Sequence, residues 1–496
     1  MNITDYLLEH GDDQKVAMIL DDVEYTYADI RLATAKLYLA LRQSGIKAED
    51  SVGLLGANSL FWVACYLAIM KLGAVAVPFS TMAMPDEVQA QVEFSGCKAV
   101  CVQDRFFGRY QSALQAVDNL FTDECLQEPI DITWKDLPFE PDFDENREAA
   151  LMFTSGTTQR PRAVRISHKN IRANTDSIIE YLELDENERI MVVLPFYYCF
   201  GTSLLHTHLR VNGSMVISNG FTFPEIVLDL MEKYATTGIA GVPSTYQTLI
   251  RNTSLARRNL PALRKVQQAG GKLPAVQTKE LADLLPQANI YTMYGQTEAT
   301  ARLSYLPPKL LATKLGSIGK GIPGVELRVM SESGTPVQPG EVGEIWASGE
   351  NISAGYLNDP DASAEKFIDG VLHTGDLATV DEDGYIFVVD RKADFIKSYG
   401  FRVSSQQVED CVLALQDVVA AAAIGEPDPM RGEAIVVFIT LREGSSLKVE
   451  EILAHCRAKL ARHMVPKRIQ VMDSLPLSAQ GKVLKSELRK TITPVK

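Results

Sequence analysis

Cysteine is scarce in this chain of 496 residues, and its seven copies (Cys65, Cys97, Cys101, Cys125, Cys199, Cys411 and Cys456) are odd in number, scattered and mostly set among apolar neighbours. That excludes a disulfide framework and reads as reduced core thiols of a cytoplasmic protein. Positive charge is also short, with 49 Lys plus Arg against 63 Asp plus Glu and a net charge of -14. With no polybasic cluster to offset it, this balance excludes nucleic acid as a partner, and any anionic ligand must meet locally concentrated positive charge. Long apolar runs are missing: Phe61 to Phe79 is broken by Lys71 and Gly73 and reaches Pro78, so it reads as a buried helix and a buried strand, not a membrane span. The start, MNITDYLLEHGDDQKV, lacks the basic and apolar segments of a signal peptide. Neither nucleotide signature built on glycine is satisfied. No G-x-x-x-x-G-K-[ST] occurs, and the single G-x-G-x-x-G, Gly319 to Gly324, runs into an alternating strand, Val325 to Val329, where a dinucleotide site needs a helix. His206 and His208, two apart in LLHTHL, read as one face of a strand with no third ligand nearby.

What is present begins with a loop, Thr154-Ser155-Gly156-Thr157-Thr158, between the strand-like run Ala149 to Phe153 and a helix start at Ser167 to Ile171. Hydroxyls, glycine N-H groups and the nearby Arg160 and Arg162 suit a tetrahedral anion, so the loop reads as a phosphate cradle. Around it the chain alternates strands and helices. Strands at Glu24 to Tyr27, Ser51 to Leu55, Ala74 to Pro78 and Ala99 to Val102 and helices at Ala28 to Ser44, Phe61 to Leu72 and Pro85 to Ser95 make one α/β unit. Phe106 to Glu148 reads as an irregular connection. A second α/β unit follows with strands at Ile190 to Leu194, Met215 to Ile217 and Gly238 to Val242. Gly316 to Tyr356 is strand-rich, and beyond Asp390-Arg391 a small α/β unit restarts, with a helix at Gln406 to Leu415.

Downstream of the loop lie YGQTEAT (Tyr294 to Thr300), LHTGD (Leu372 to Asp376), DRKADFIKSYGFRVS (Asp390 to Ser404) and LPLSAQGKVLK (Leu475 to Lys485). In this order and spacing, over about Tyr25 to Leu488, they resemble the adenylate-forming (AMP-binding) superfamily of acyl-CoA synthetases, peptide-synthetase adenylation domains and firefly-type luciferases. The resemblance implies an α/β fold: a large N-terminal domain of two stacked αβα subdomains plus a small distorted β-barrel, and a small mobile α+β C-terminal domain. The expected divisions are 1–390, a hinge at 391–394, and a lid at 395–496. It also implies ATP and Mg²⁺, with coenzyme A or a phosphopantetheinylated acyl or peptidyl carrier protein as co-substrate, in a monomer or homodimer.

The roles implied are specific. Lys482 bridges the substrate carboxylate and the α-phosphate, Thr297 meets the α-phosphate, and Glu298 holds Mg²⁺. Thr154, Ser155, Gly156, Thr157, Thr158 and Arg162 cradle phosphate. Tyr294, Gly295, Gln296, Gly270 and Gly271 surround the nucleotide, with Asp376 on the ribose diol and Arg391 on ribose or phosphate. Tyr198 and Ala269 line the acyl pocket, Lys397, Ser398 and Gly400 face the incoming thiol, and Ala393 is the hinge. A carboxylate is already ionised at neutral pH and needs no base, so the site's task is to neutralise repulsion from the triphosphate.

Three positions depart from the family. The loop continues Gln159-Arg160-Pro161-Arg162-Ala163 in place of Gly-x-Pro-Lys-Gly, which keeps charge but loses two glycines. Ala393 stands where Asp or Lys is common. Tyr197-Tyr198 replaces an aromatic-His pair, and no acidic residue falls between Leu194 and Gly213, which disfavours a free amino acid substrate and favours a fatty or aryl acid. The expected activity is acyl-AMP formation with pyrophosphate release, then transfer to a thiol. The alternatives are a ligase loading only a carrier protein, an acyl-nucleotide binding or regulatory protein without turnover, and a luciferase-type oxidation that no residue distinguishes.

Overall fold

A helix that is apolar on every side has to be enclosed, and Leu60–Lys71 is: every residue from Phe61 to Lys71 is buried. Ser59 starts it by accepting a hydrogen bond from the Trp62 amide. The cluster around it draws Val52, Leu54 and Ala76 from one sheet and Ile190, Val192 and Met215 from another, so two α/β layers share one core. The computed structural model describes residues 1–9, 11–128, 131–154, 161–391, 394–478 and 481–492.

The first sheet has six strands in the order Asn119–Phe121, Ala99–Val102, Ser51–Leu55, Val75–Phe79, Glu148–Phe153 and Ala163–Ser167. All neighbours are parallel except the last two, which pair antiparallel. The second sheet has nine, running Lys320–Gly321, Ser304–Leu306, Asn289–Tyr294, Lys265–Gln268, Gly238–Gly241, Arg189–Val192, Ser214–Ile217, Val16–Leu20 and Val23–Thr26. Val325–Met330, Gly343–Gly349, Val371–Val380, Phe367–Ile368 and Ile386–Arg391 make a smaller antiparallel sheet. In the C-terminal part, Gly432–Leu441 pairs with Val418–Asp428, Ile396–Ser398 and Arg468–Val471, with the helices Ser405–Leu413, Val449–Lys459 and Lys485–Thr491.

The structure corrects several local readings. Val23–Thr26 joins the edge of the nine-stranded sheet, not the first unit, because the Tyr27 hydroxyl donates to the carbonyls of His208 and Gly213 at 3.0 and 2.9 Å. Phe106 to Glu148 is not wholly irregular, since Asn119–Phe121 extends the first sheet. Ala163–Ser167 is a strand that alternation over five residues left unnoticed. His206 and His208 lie in the helix Cys199–Arg210, both buried, with His208 Nδ1 bonded to the Leu204 carbonyl four residues back. Gly319 serves packing: a Cβ there would lie 1.7 Å from the Tyr305 carbonyl oxygen.

Several contacts cross the expected domain boundary. The buried Asp390 carboxylate accepts from the Ser405 amide at 2.7 Å and from the Ser404 and Ser405 hydroxyls at 3.2 and 3.1 Å, holding the start of Ser405–Leu413. Lys272 pairs with Asp410 at 3.0 Å alongside.

Candidate active site

Gly238–Gly241, Lys265–Gln268 and Asn289–Tyr294 are adjacent and parallel, so their carboxyl ends open on one edge, where α/β sheets place ligands. The chain leaving them supplies Ser244, then Ala269-Gly270-Gly271, then Gly295 to Glu298. Gly295 permits the last loop to fold back on itself, since a Cβ would sit 1.9 Å from the Ala301 carbonyl oxygen. Gly270 has φ +83°, a conformation suited to glycine, and a Cβ there would lie 2.9 Å from Val242 Cγ1.

Asp376 occupies the barrel side of this edge. One of its oxygens accepts from the Tyr294 hydroxyl at 2.6 Å and the other lies 3.2 Å from Arg391 Nε, its antiparallel partner in register. An ionised carboxylate offers about four acceptor positions, so two remain for a vicinal diol. Burial and the neighbouring Asp376 charge push the Tyr294 phenol well above its ordinary range, which keeps it a donor. Gln296 Nε2 is 3.4 Å from the same hydroxyl.

Glu298 begins a second cluster. Its Oε1 accepts from the Tyr356 hydroxyl at 2.7 Å, and Arg162 lies over the Tyr356 ring at 4.9 Å and 3.6 Å from Asp359. The Thr154 amide donates to the Arg162 carbonyl at 3.0 Å. Thr297 Oγ1 is 3.6 Å from Cys199 Sγ. Among the described residues no group of three or more His, Cys, Asp or Glu forms a metal cage. A lone carboxylate beside phosphate oxygens and water is what Mg²⁺ uses in nucleotide sites, so Glu298 fits that ion.

Lys482 enters from the small C-terminal domain. The Ser478 amide donates to the Lys482 carbonyl at 2.7 Å, and Ser244 Oγ donates to the Gly481 carbonyl at 3.0 Å, fixing the C-terminal domain to the strand ends. A methyl group on Gly270 would lie 3.8 Å from Lys482 Cε. Burial, then Arg391, lowers the pKa of the ammonium, while Cys199, Asp376 and Glu298 oppose them. Lys482, Arg391, Thr154, Tyr198, Gly270 and Gly271 all line a cleft of about 740 Å³.

A family model described as AMP-binding enzyme matches residues 9–357, and one for the AMP-binding enzyme C-terminal domain matches residues 407–482. The chain belongs to the AMP-binding enzyme family. Feruloyl-CoA synthase of an Amycolatopsis species is 32% identical over 467 residues, covering 94% of this chain and 93% of the relative. Among solved structures, ATP-bound MatB from Rhodopseudomonas palustris is similar with TM-score 0.89 at 25% identity, over 99% of this chain and 98% of the other. O-succinylbenzoate coenzyme A synthetase (MenE) from Bacillus subtilis, in complex with ATP and magnesium ion, has TM-score 0.86 at 26% identity, over 98% and 99%.

In this AMP-binding enzyme, then, Lys482, Thr297, Glu298, Tyr294, Asp376 and Arg391 come together around one edge. Tyr198 is half-buried against the buried Tyr197, ring centroids 4.7 Å apart, and Ala269 is buried in the cluster holding Tyr181 and Met293. Lys397, Ser398 and Gly400 are not among the residues lining the cleft. They form the hairpin of Ile396–Ser398 with Phe401–Val403, turned through Tyr399 and Gly400, both at positive φ. Ser155, Gly156, Thr157, Thr158 and Ala393 lie outside the described residues.

Three neighbours escaped the sequence reading. Cys199 and Tyr356 carry no motif of their own. Arg302 is 1% exposed and stacks on Phe200 at 3.9 Å. Its only signal was one basic residue in an otherwise small and apolar run, four positions beyond Glu298.

Proposed function

We propose that this chain is an ATP-dependent acid-thiol ligase that joins a carboxylic acid to coenzyme A through an acyl-adenylate. In the first step a carboxylate oxygen attacks the α-phosphorus of ATP, the bond to the bridging oxygen breaks and pyrophosphate leaves. In the second a thiolate sulfur attacks the acyl carbonyl, and the carbonyl carbon-oxygen bond to AMP breaks. The observation carrying this reading is the convergence of the half-buried Lys482 with Asp376, Arg391 and Glu298 at the carboxyl ends of the strands. In a chain of net charge -14, that is the positive charge a triphosphate and a carboxylate both require.

Lys482 draws the two anions together, Thr297 donates to the α-phosphate, and Asp376 accepts from the ribose hydroxyls between Tyr294 and Arg391. Arg162 places charge beside the phosphate loop. Glu298 would hold Mg²⁺, which supplies charge neutralisation on the transferring phosphoryl group. Residues 395–496 act as a lid turning about 391–394, exchanging Lys482 for the hairpin with Lys397, Ser398 and Gly400 when the thiol enters. Among the described residues no helix is long and apolar enough to cross a membrane. A fatty or aryl acid fits better than an amino acid.

Pyrophosphate release from MgATP across fatty, aryl, hydroxy and amino acids, with and without coenzyme A, tests this. Acid-dependent release and a thioester product are expected. Thioester formation on a holo-carrier protein but never on coenzyme A would move the acceptor to a carrier. ATP binding without release for any acid would overturn the ligase reading.

A further inference from the structure

Between residues 1–390 and 395–496 the described residues form a single ion pair, Lys272 Nζ with Asp410 Oδ2 at 3.0 Å. The contacts of Ser244 with Gly481 and of Asp390 with Ser404 and Ser405 are hydrogen bonds to uncharged partners. Each member of the pair stands on a support that leads to Lys482. Lys272 follows Ala269-Gly270-Gly271, where the Gly271 carbonyl accepts from the side-chain amide of Gln268 at 2.7 Å. Gln268 is buried at the end of the strand Lys265–Gln268, so this loop is anchored to the sheet. A Cβ on its Gly270 would come within 3.8 Å of Lys482 Cε. On the other side Asp410 lies in the helix Ser405–Leu413. Its neighbour Glu409 pairs with Lys485 at 2.8 Å and accepts from the Ala423 amide at 2.8 Å. Lys485 also donates to Ser405 Oγ at 2.7 Å. Lys485 is three residues beyond Lys482, so the helix that carries Asp410 is braced to the segment that carries Lys482.

The pair is too open to water to lock the two parts together. Its side chains keep 28% and 37% of their exposure, and ion pairs of that kind contribute little to stability. A contact broken once in every turnover has to be weak, because a two-step enzyme needs both of its arrangements within reach. Resting on the ligase reading and its turning C-terminal domain, we propose that Lys272 and Asp410 form a latch for the adenylating arrangement. Closed, the latch holds Lys482 beside Gly270 at the strand ends. It parts when the domain turns to bring the hairpin of Lys397, Ser398 and Gly400 to the thiol. Lys272 and Asp410 are thus positioning residues: they act through Lys482 and set how the enzyme divides its time between the two half-reactions.

The test reverses the two charges singly and together in the full chain. Lys272→Glu sets a carboxylate against Asp410, and Asp410→Lys sets an ammonium against Lys272. Turning attraction into repulsion in a half-exposed pair shifts the equilibrium about 10-fold, and for two arrangements near balance that lowers the closed fraction about 5-fold. Each single variant is therefore expected to lower kcat/KM for acid-dependent pyrophosphate release about 5-fold, while thiolysis of a synthetic acyl-adenylate by coenzyme A holds or rises up to about 2-fold. Combining Lys272→Glu with Asp410→Lys restores the pair in reverse and is expected to return release to within about 2-fold of wild type. Added salt should narrow the gap between the single variants and wild type. Equal losses in both half-reactions, single variants that release pyrophosphate like wild type, or a double variant no better than the singles would overturn the latch and spare the ligase reading. A loss with Lys272→Glu that Asp410→Lys does not reproduce would assign Lys272 to a substrate and overturn the latch as well. A wild type that releases no pyrophosphate with any acid would overturn both.

Discussion

Lys482→Ala should separate the two half-reactions. The half-buried ammonium feels Arg391 against it and Asp376, Glu298 and Cys199 in its favour. An opposite unit charge at about 4 Å contributes about 4 kcal/mol at an effective dielectric constant of about 20. Arg391 remains after the substitution and recovers part of that, leaving a loss of about 3–4 kcal/mol, or roughly 10²–10³-fold in rate. The assay is paired: acid-dependent pyrophosphate release for the first step, and thiolysis of a synthetic acyl-adenylate by coenzyme A for the second. The first should fall by that factor in kcat/KM, and the second should stay within about 3-fold. Equal losses in both steps would refute the assignment of Lys482 to adenylation. Because its pKa is lowered, the charged form disappears at a lower pH than for an ordinary lysine. Wild-type kcat/KM for the first step should therefore decline on the alkaline side below the ordinary lysine range, and Lys482→Arg should remove the decline.

Tyr356→Phe deletes the 2.7 Å hydrogen bond to Glu298 and should raise the Mg²⁺ concentration for half-maximal rate about 10-fold, the scale of one charged hydrogen bond, with the acid KM little changed. Asp390→Ala strips the acceptor from the Ser405 amide and both serine hydroxyls; amide exchange in Ser405–Leu413 should accelerate at least 10-fold, and unchanged exchange would show the contact is idle. Burial lowers His168 and His206 to about 3 and His208 to about 4, so all three are neutral in the fold and protonate only on unfolding. Their contribution is complete above about pH 6.5 and is lost as pH falls; at pH 5 each costs about 2 kcal/mol, so Tm should drop between pH 7 and 5, and His206→Phe should flatten the drop.

The motifs were legible because residue type in each follows directly from chemistry. Tyr294 to Glu298, Asp376 and Lys482 could be found without knowing what they touch. Their supports could not. Tyr356 reaches Glu298 from 58 residues away, and Asp390 reaches Ser405 across a boundary drawn at the next residue. Helix-strand alternation placed most of the elements it named within a residue or two, yet it misread LLHTHL, where an apolar stretch suits either period and burial on all sides removes the amphipathic signal. Sheet membership failed for Val23–Thr26 because alternation reveals a strand and not its partner. Arg302 was invisible for another reason. An arginine reads as surface until the fold shows it is 1% exposed.

The most direct test of the central claim follows oxygen. An acid accepted by the enzyme, labelled with ¹⁸O in the reacting carboxylate, is incubated with MgATP and coenzyme A, and the AMP is analysed by mass spectrometry. Passage through an acyl-adenylate predicts one ¹⁸O in the phosphate of AMP, with the thioester keeping the other. Label in inorganic phosphate, with ADP formed in place of AMP, or AMP without label, would contradict it.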